Sequence, residues 1–363
     1  MPYPRRTTRT VTLGTLRIGS GHPVMVQSMT NTDTRDSVAT IAQARRLAAA
    51  GAEAVRVAVP DEAAAAALRS IRAASPVPLI ADIHFDHRLA LAALEAGFEG
   101  LRINPGNIGG EKAVARVVEA AAQAGACIRV GVNSGSVEKH LLARYGGPTP
   151  EAMVESALRH VRMLEERGFY NTKISLKSSS VRHTLEAYRL LAAACDYPLH
   201  IGVTEAGTLL SGAVKSSLGL GLLLAEGIGD TMRVSLTHDP TREVDVAYMI
   251  LRGLDLRRRG PELISCPTCG RTRIDLIPLA QAVEEKIAVF PQNFSVAVMG
   301  CEVNGPGEAR EADVGIAGGE GKGTLFRKGI IQRTVYGDRD LLLEALLEEI
   351  RLFLQERGEK IEN

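Results

Sequence analysis

Tryptophan is absent from this chain of 363 residues, and aromatic residues make up only 4% of it. A chain of this length still needs a large buried core, which must therefore be built mainly from aliphatic side chains. No segment offers the run of about 18 uncharged apolar residues that a membrane span requires. The N-terminal segment MPYPRRTTRT is basic but lacks the apolar stretch of a secretory signal. The sequence thus predicts a cytoplasmic protein without a membrane partner.

Cysteine and net charge are also scarce. Three of the five cysteines lie between residues 266 and 301, a distribution that argues against a disulfide framework and for metal ligation. The formal net charge is only +1. Because nucleic-acid-binding proteins usually carry a basic surface, this balance argues against nucleic acid as a partner.

Short β-branched runs alternate with helical segments over the first two thirds of the chain. The helical segments, such as SVATIAQARRLAAAG, end near glycines suited to helix C-caps. The eight predicted strands lie at 24–30, 54–59, 78–84, 100–104, 127–133, 171–177, 199–204 and 231–237. Eight βα units, closed by a helix near 242–258, match a (β/α)8 TIM barrel. The alternative is an open doubly wound sheet, but the first βα turn lacks G-x-G-x-x-G.

A change of pattern follows the segment RRRGPELIS at 257–265, whose charge, glycine and proline are typical of a domain boundary. We therefore expect a TIM-barrel substrate-binding domain over 1–258 and a smaller α+β iron–sulfur domain over 259–363. The elements predicted for the second domain are a helix at 275–288, a strand at 294–299, a hairpin over 312–335 and a helix at 339–357.

Polar residues gather at the predicted strand ends, and residues two apart on a strand face the same way. In TIM barrels the C-terminal mouth carries the chemistry. The residues expected there are the cations Arg56, Arg102, Arg129, Lys177 and either Lys173 or Arg233, the amides Asn104 and Asn133, and the carboxylates Asp82 and Glu205. Because cations outnumber carboxylates, the pattern favours a phosphorylated or diphosphate ligand. The alternative is that individual arginines pair with strand carboxylates.

Two kinds of side chain near this mouth allow more than one interpretation. Glu205 follows a strand, so it is either a general acid or a carboxylate that interacts with a helix N-terminus. His84 and His87 have no third partner for a metal, so we interpret them as structural, hydrogen-bonded groups.

The cysteine module combines C-P-T-C-G, which holds Cys266 and Cys269, with Cys301 in a glycine-rich loop. Structural zinc favours four Cys or His ligands. No histidine follows His238, so a fourth ligand of this kind is missing from the module. Three thiolates alone favour a [4Fe–4S] cluster with one iron left for substrate or for an oxygen ligand. Glu308 is the preferred candidate for that ligand and Glu302 the second.

Several segments resemble one known family. They are VMVQSMTNTDT, GLRINPGN, IRVGVNSGS, KISLKSS, GVTEAG, RVSLTHDP, SCPTCGR and MGCEVNGPGEA. Together they cover most of the chain, which is similar to the bacterial 4-hydroxy-3-methylbut-2-enyl diphosphate synthases in their short, two-domain form. The resemblance implies an oxidoreductase of the methylerythritol phosphate route to isoprenoids.

What this resemblance implies for chemistry is a reductive dehydroxylation and ring opening of 2-C-methyl-D-erythritol 2,4-cyclodiphosphate. Two electrons from flavodoxin or ferredoxin pass through the cluster. The implied cluster ligands are Cys266, Cys269, Cys301 and Glu308, the implied substrate contacts are Arg56, Arg102, Asn104, Arg129, Asn133, Lys177 and Ser235, and the implied acid is Glu205. The resemblance also implies a head-to-tail homodimer with closure in trans, although the sequence itself is compatible with closure in cis.

Two rival functions belong to other classes. One is a zinc-stabilised barrel transferase acting on a nucleobase or a pterin-like substrate, and the missing fourth zinc ligand argues against it. The other is a non-enzymatic electron carrier, which has no need of a polar barrel mouth.

Overall fold

The computed structural model describes residues 4–302, 307 and 310–359. The chain divides into two compact units, Met1–Arg257 and Arg258–Asn363. The roles predicted for the two domains are not decided by this division and stay predictions. Among the described helices, none combines the length and the apolar character of a transmembrane span.

The first unit begins with an antiparallel hairpin of β1 (Val11–Leu13) and β2 (Leu16–Ile18), followed by eight parallel strands. These are β3 (Met25–Met29), β4 (Ala54–Ala58), β5 (Leu79–Asp82), β6 (Gly100–Ile103), β7 (Cys127–Asn133), β8 (Thr172–Lys177), β9 (His200–Ile201) and β10 (Thr231–Met232). The sheet runs in the order β8-β7-β6-β5-β4-β3-β10-β9. A parallel bridge between Ile174 and Leu199 joins its two ends, so the sheet closes on itself. The predicted TIM barrel is confirmed.

Helices surround this barrel, and capping residues set their ends. They are α1 (Ser37–Ala50), α2 (Glu62–Ala74), α3 (His87–Glu95), α4 (Glu111–Gln123), α5 (Lys139–Tyr145), α6 (Pro150–Glu165), α7 (Val181–Ala194), α8 (Leu209–Ala225) and α9 (Thr241–Gly253). The Asp36 carboxylate accepts the N–H of Ala39 at the start of α1, and Gly51 ends that helix with φ 110°. The wide gap between β7 and β8 holds α5 and α6.

The bottom of the barrel is closed by the N-terminal hairpin. Its side chains Val11, Leu13 and Ile18 form one apolar cluster with barrel residues, which include Ile80 and Cys127. This hairpin was not predicted from the sequence, because strands of three residues are too short to show a clear alternation. Its effect is that the barrel interior is sealed at the end opposite the strand carboxyl termini.

The second unit is a five-stranded sheet with two helices. Its elements are β11 (Glu262–Ser265), α10 (Leu276–Ile287), β12 (Ser295–Met299), β13 (Val314–Gly319), β14 (Lys322–Arg327), β15 (Ile330–Tyr336) and α11 (Arg339–Glu356). The strands follow chain order across the sheet; β11, β12 and β13 are parallel, and the last two pairs are antiparallel. A stripe on α11 that includes Leu342, Leu346 and Ile350 packs with α10 and the strands in one apolar cluster. This is the α+β arrangement that the sequence predicts.

The predicted hairpin over 312–335 is wrong in one respect, because the segment contains three strands. The chain turns a second time at Lys328 and Gly329, with φ 45° and 75°, and positive φ at both central residues is typical of a type I′ turn. The third strand, β15, is almost wholly exposed. Its side chains therefore do not alternate between buried and exposed positions, so the sequence lacks the alternation of apolar and polar residues that predicts a strand.

Candidate active site

A polar cavity of about 120 Å³ lies at the carboxyl ends of the barrel strands. The side chains that line it are Arg56, Asp82, His84, Arg102, Arg129, Asn133, Ser175, Lys177, Thr204, Arg233 and Ser235. The register of parallel strands explains this gathering: Asp82 pairs with Arg102, Arg102 with Arg129, and Asn133 with Lys177. Side chains paired in this way project to the same face, here the barrel interior.

Six of the seven predicted substrate contacts line this cavity: Arg56, Arg102, Arg129, Asn133, Lys177 and Ser235. The seventh, Asn104, is buried next to the β6 end, where its Oδ1 accepts the N–H of Gly106 at 3.1 Å. Its Nδ2 has no hydrogen-bond partner within the part of the chain that the structure describes.

Five lining residues were not predicted as contacts: Asp82, His84, Ser175, Thr204 and Arg233. Asp82 and Arg233 are polar residues at the predicted strand ends, so their positions in the sequence could have identified them as lining residues. Ser175 lies between Lys173 and Lys177 on one strand face, which was a second signal. His84 was interpreted as structural, and the structure places it at the cavity.

Asp82 is the carboxylate around which the cavity is organised. Its oxygens lie 3.7 Å from Arg56 Nε, 3.3 Å from Arg102 Nη1 and 3.4 Å from His84 Nε2. Burial by itself raises the pKa of Asp82, but Arg56, His84 and Arg102 together hold that pKa well below its usual range. Asp82 therefore stays ionised and fixes two guanidinium groups and an imidazole at the cavity wall.

Arg233 has its own carboxylate partner. Its Nε and Nη2 each donate to Glu243 at 3.1 Å, in a two-point contact. Glu243 is buried and also accepts the N–H of Leu236 at 3.0 Å. The Sδ of Met29 lies 2.8 Å from Arg56 Nη2 and 3.4 Å from Arg233 Nη1, so one soft acceptor joins the two guanidinium groups.

The cations that line the cavity outnumber the carboxylates Asp82 and Glu243. These cations are Arg56, Arg102, Arg129, Lys177 and Arg233. Burial, and then the neighbouring arginines, lower the pKa of Lys177 well below its usual value, and burial lowers the pKa of Arg56 to about 10. Arg129 is 1% exposed, and within the described chain its Nε and Nη1 have no hydrogen-bond partner. Buried, unpaired guanidinium donors are costly, so this cavity favours a multiply charged anion.

Gly131 allows the close packing of this cation cluster, and its replacement is the first test of the site. A Cβ at this position lies 2.7 Å from Arg102 Nε and 3.3 Å from Ser175 Oγ. We expect Gly131→Ala to push the Arg102 guanidinium away from the cavity and to raise the Kd for pyrophosphate by roughly 10- to 100-fold. Isothermal titration calorimetry measures this change.

The matched control for that test is Gly221→Ala in α8, where an added Cβ meets nothing within 4 Å. It should leave the pyrophosphate affinity unchanged and stabilise the helix by about 0.5–1 kcal/mol. Equal affinities in the two variants would contradict the role given to Arg102.

Glu205, the predicted acid, follows the β9 strand but does not line the cavity. It is exposed and has φ 53°, a left-handed backbone conformation that non-glycine residues rarely adopt. Its carbonyl oxygen accepts from Lys215 Nζ at 3.3 Å, and the preceding residue, Thr204, does line the cavity. The strain places Glu205 among the residues that merit a functional test.

In the second unit, two of the predicted cluster ligands follow adjacent parallel strands. Cys266 comes directly after β11, and Cys301 comes two residues after β12. The Sγ of Cys266 accepts the N–H of Gly300 at 3.3 Å. Cys301 is buried, whereas Cys269 is exposed, and the backbone N–H of Arg271 lowers the pKa of its thiol.

The fourth predicted ligand, Glu308, lies outside the described residues. The second candidate, Glu302, is exposed and forms an ion pair with Lys322 at 2.7 Å. Within residues 4–302, 307 and 310–359, no three His, Cys, Asp or Glu side chains are grouped as ligands of a single metal ion.

Comparison with known proteins identifies similar chains over almost the whole length. Residues 8–248 match the family model of the GcpE TIM-barrel domain, and residues 262–352 match that of the GcpE protein C-terminal domain. A 4-hydroxy-3-methylbut-2-en-1-yl diphosphate synthase (flavodoxin) from Maridesulfovibrio salexigens is 65% identical over 97% of this chain and 98% of its own. Proteins with the same name from Geobacter sulfurreducens (59%, 96% and 99%) and Clostridium perfringens (54%, 94% and 98%) are also similar.

Two solved structures resemble the barrel at low sequence identity. The 3-dehydroquinate dehydratase of Geobacillus kaustophilus has a TM-score of 0.51 and 13% identity, and covers 69% of this chain and 98% of its own. The dihydropteroate synthase of Stenotrophomonas maltophilia has a TM-score of 0.50 and 17% identity, and covers 68% and 98%. At such identities the likeness extends to the barrel fold alone.

Proposed function

Because this chain belongs to the GcpE family, we propose that it forms 4-hydroxy-3-methylbut-2-enyl diphosphate from 2-C-methyl-D-erythritol 2,4-cyclodiphosphate. It is an oxidoreductase of isoprenoid precursor synthesis by the methylerythritol phosphate route, and flavodoxin is the electron donor that the relatives' names give. The observation that carries the assignment to this site is the buried excess of cations at the barrel mouth. The zinc-dependent transferase is not favoured, since these relatives carry a different activity in their names.

The cation cluster binds the diphosphate part of the substrate. Arg129 offers two buried N–H donors that have no partner within the described residues, and Lys177 lies beside it with arginines as its main charged neighbours. Arg56 and Arg102 are held in place by Asp82, so their forks are already oriented before the ligand arrives. When the ring opens, a phosphate oxygen leaves carbon and gains charge, and these fixed donors stabilise it.

Cys266, Cys269 and Cys301 are suited to a [4Fe–4S] cluster. All three are free thiols, soft sulfur donors of the kind that iron–sulfur clusters use, and the N–H that Gly300 donates to Cys266 Sγ stabilises a thiolate there. Bound to these residues, a cluster supplies the two electrons of the reaction. Glu308 is proposed as the exchangeable fourth ligand from the family resemblance alone.

The net reaction takes up two electrons and one proton and releases one water, so a proton donor is needed near the breaking C–O bond. Glu205 is the donor that the family resemblance implies. His84 is a second candidate, because it lies in the cavity and Asp82 holds its imidazole at 3.4 Å. Substitution of each residue distinguishes which of them donates the proton.

We expect Glu205→Gln to lower kcat by roughly 100- to 10,000-fold with little change in KM, since the amide keeps the shape but cannot donate the proton. Steady-state kinetics with reduced flavodoxin measures both constants. The control is Glu186→Gln, which removes a half-buried carboxylate that pairs with Arg182 on the same helix and should be nearly neutral. If Glu205→Gln kept its kcat while His84→Gln lost it, the proton would come from the Asp82–His84 pair.

Assembly and location complete the proposal. A head-to-tail homodimer, with the cluster unit of one copy acting on the barrel of the other, is favoured by the family resemblance, and ferredoxin is an alternative donor. The absence of a nucleic-acid partner and the cytoplasmic location stay predictions.

The direct test of the activity uses protein purified without oxygen, with its iron and sulfide content measured beforehand. With reduced flavodoxin and the cyclic diphosphate, ³¹P NMR should follow the ring phosphates into the two resonances of an open diphosphate. Unchanged substrate in cluster-loaded protein with a competent reductant would refute the proposed function.

A further inference from the structure

A second polar layer lies in the barrel interior, directly below the cavity. Ser175 and Lys177 of β8 line the cavity, and Lys173 shares their face of the strand, two residues nearer the closed bottom. Lys173 pairs in register with Arg129 of β7, which also points inward. From the sequence, Lys173 and Arg233 are alternatives for the mouth; the structure places Arg233 at the cavity and Lys173 beneath it.

The polar atoms of this layer are buried, and several of them have no hydrogen-bond partner in the described part of the chain. Lys173 and Gln27 are each 1% exposed, and His200 is fully buried. No hydrogen-bond partner within the described chain reaches Lys173 Nζ, His200 Nε2, either side-chain polar atom of Gln27, or Nε and Nη1 of Arg129. Buried polar groups are normally satisfied, so these atoms indicate a small hydrated or ligand-responsive space.

The groups that face Lys173 offer it no counter-charge. From β7 these are Arg129, a guanidinium, and Cys127, a thiol whose pKa is raised by burial. His200 faces it from β9, and the other strong charged neighbours of His200 are Arg129, Lys177 and Arg56. Below them Cys127 belongs to the apolar cluster that seals the barrel. Lys173 is therefore a buried amine beside a permanent cation.

Of these two cations, the lysine is the one that can release its proton. A guanidinium stays protonated at any ordinary pH, whereas a buried ammonium readily loses its charge. Burial lowers the pKa of Lys173 to about 8; Cys127 offsets part of this effect, and Arg129 adds a smaller lowering of its own. In the ligand-free protein Lys173 is thus close to half neutral in mildly alkaline solution.

We propose that Lys173 takes up a proton when a diphosphate binds above it, and that its ammonium then supports Arg129 from below as a positioning residue. The proposal rests on the proposed function, since it requires a dianion on Arg129 and Lys177. A bound dianion favours the charged amine and shifts its titration upward by roughly 1 to 3 pH units. Because binding consumes a proton, diphosphate affinity falls as the pH rises through this range.

The experiment is isothermal titration calorimetry of the cluster-loaded protein with the cyclic diphosphate at pH 8.5, without a reductant so that no turnover occurs. Titrations in two buffers of different ionisation enthalpy give the number of protons taken up. The wild-type protein should take up about 0.5–0.8 proton per chain from Lys173, in addition to any contribution from Lys177. Proton uptake by Lys173→Met should be smaller by this amount. Proton uptake by Lys112→Met, which removes an exposed lysine on α4, should match that of the wild type.

Equal proton uptake in Lys173→Met and the wild type would overturn the proposal. So would a wild-type protein that binds the ligand without proton uptake at pH 8.5, and this result needs no variant. A wild-type protein that gives no binding heat counts instead against the proposed function. Lys173→Gln serves as a second variant if the methionine variant does not fold.

Thermal unfolding of the ligand-free protein supplies an independent readout. A lysine whose pKa is lowered by folding reduces stability most below that pKa, and the penalty fades as the pH rises towards the value of the unfolded chain. Lys173→Met should therefore raise the Tm by a few degrees at pH 7 and by clearly less at pH 10. A gain that does not depend on pH would indicate better packing only and would contradict the electrostatic argument.

Discussion

Cys266→Ala should abolish the cluster and the reductase activity together. Cys266 is one of only three thiols in the second unit, and its Sγ already accepts a backbone N–H from Gly300. With two sulfur ligands left, we expect iron and sulfide to fall to background and kcat to fall by more than roughly 1,000-fold, because the proposed route of the two electrons is then lost. Iron and sulfide assays, visible absorbance and the flavodoxin-coupled assay measure the three effects on one preparation.

The control for this experiment is Cys195→Ala. Cys195 lies in the barrel unit, half-buried, with its Sγ donating to the carbonyl of Leu191 at 3.4 Å. Its loss should leave the cluster content and the activity close to those of the wild type. Full activity in cluster-free Cys266→Ala would remove the cysteine module from the mechanism.

Arg129→Met should weaken substrate binding strongly while leaving the cluster intact. Arg129 is fully buried, its Nε and Nη1 are unpaired in the described chain, and Arg56 and Arg102 face it. Removing a buried donor of a charged pair typically costs 2–5 kcal/mol, so kcat/KM should fall by roughly 100- to 1,000-fold. The methionine retains much of the apolar volume, and the loss therefore reports on charge and hydrogen bonding.

Arg182→Met is the matched control, since Arg182 is exposed and pairs with Glu186 one turn along α7. An exposed pair of this kind contributes little, so stability and kinetics should be nearly unchanged. If Arg129→Met had the kinetic constants of this control, Arg129 would have no part in substrate binding.

The barrel could be predicted from sequence because its physical signal repeats. Each strand carries a buried aliphatic run, most of the helices end near a glycine, and eight such units determine a closed sheet. The elements that were missed carry no such signal. The hairpin of β1 and β2 has strands of three residues, and β15 is exposed along nearly all of its length.

The site was predictable in composition but not in depth. Alternation along strands identifies which residues share a face, and six of the predicted contacts do line one cavity. Alternation does not show how far down the barrel a side chain lies. For this reason Lys173 was an alternative to Arg233 at the mouth. Alternation also cannot show that Asp82 joins His84 to two arginines, because that contact depends on strand register and a loop conformation.

In the proposed mechanism, three cysteines bind an iron–sulfur cluster that works with a diphosphate-binding barrel. Iron, inorganic sulfide and zinc should be measured on protein purified without oxygen. We expect about four irons and four sulfides per chain and no stoichiometric zinc. Protein that contains one zinc per chain and no inorganic sulfide would contradict this mechanism.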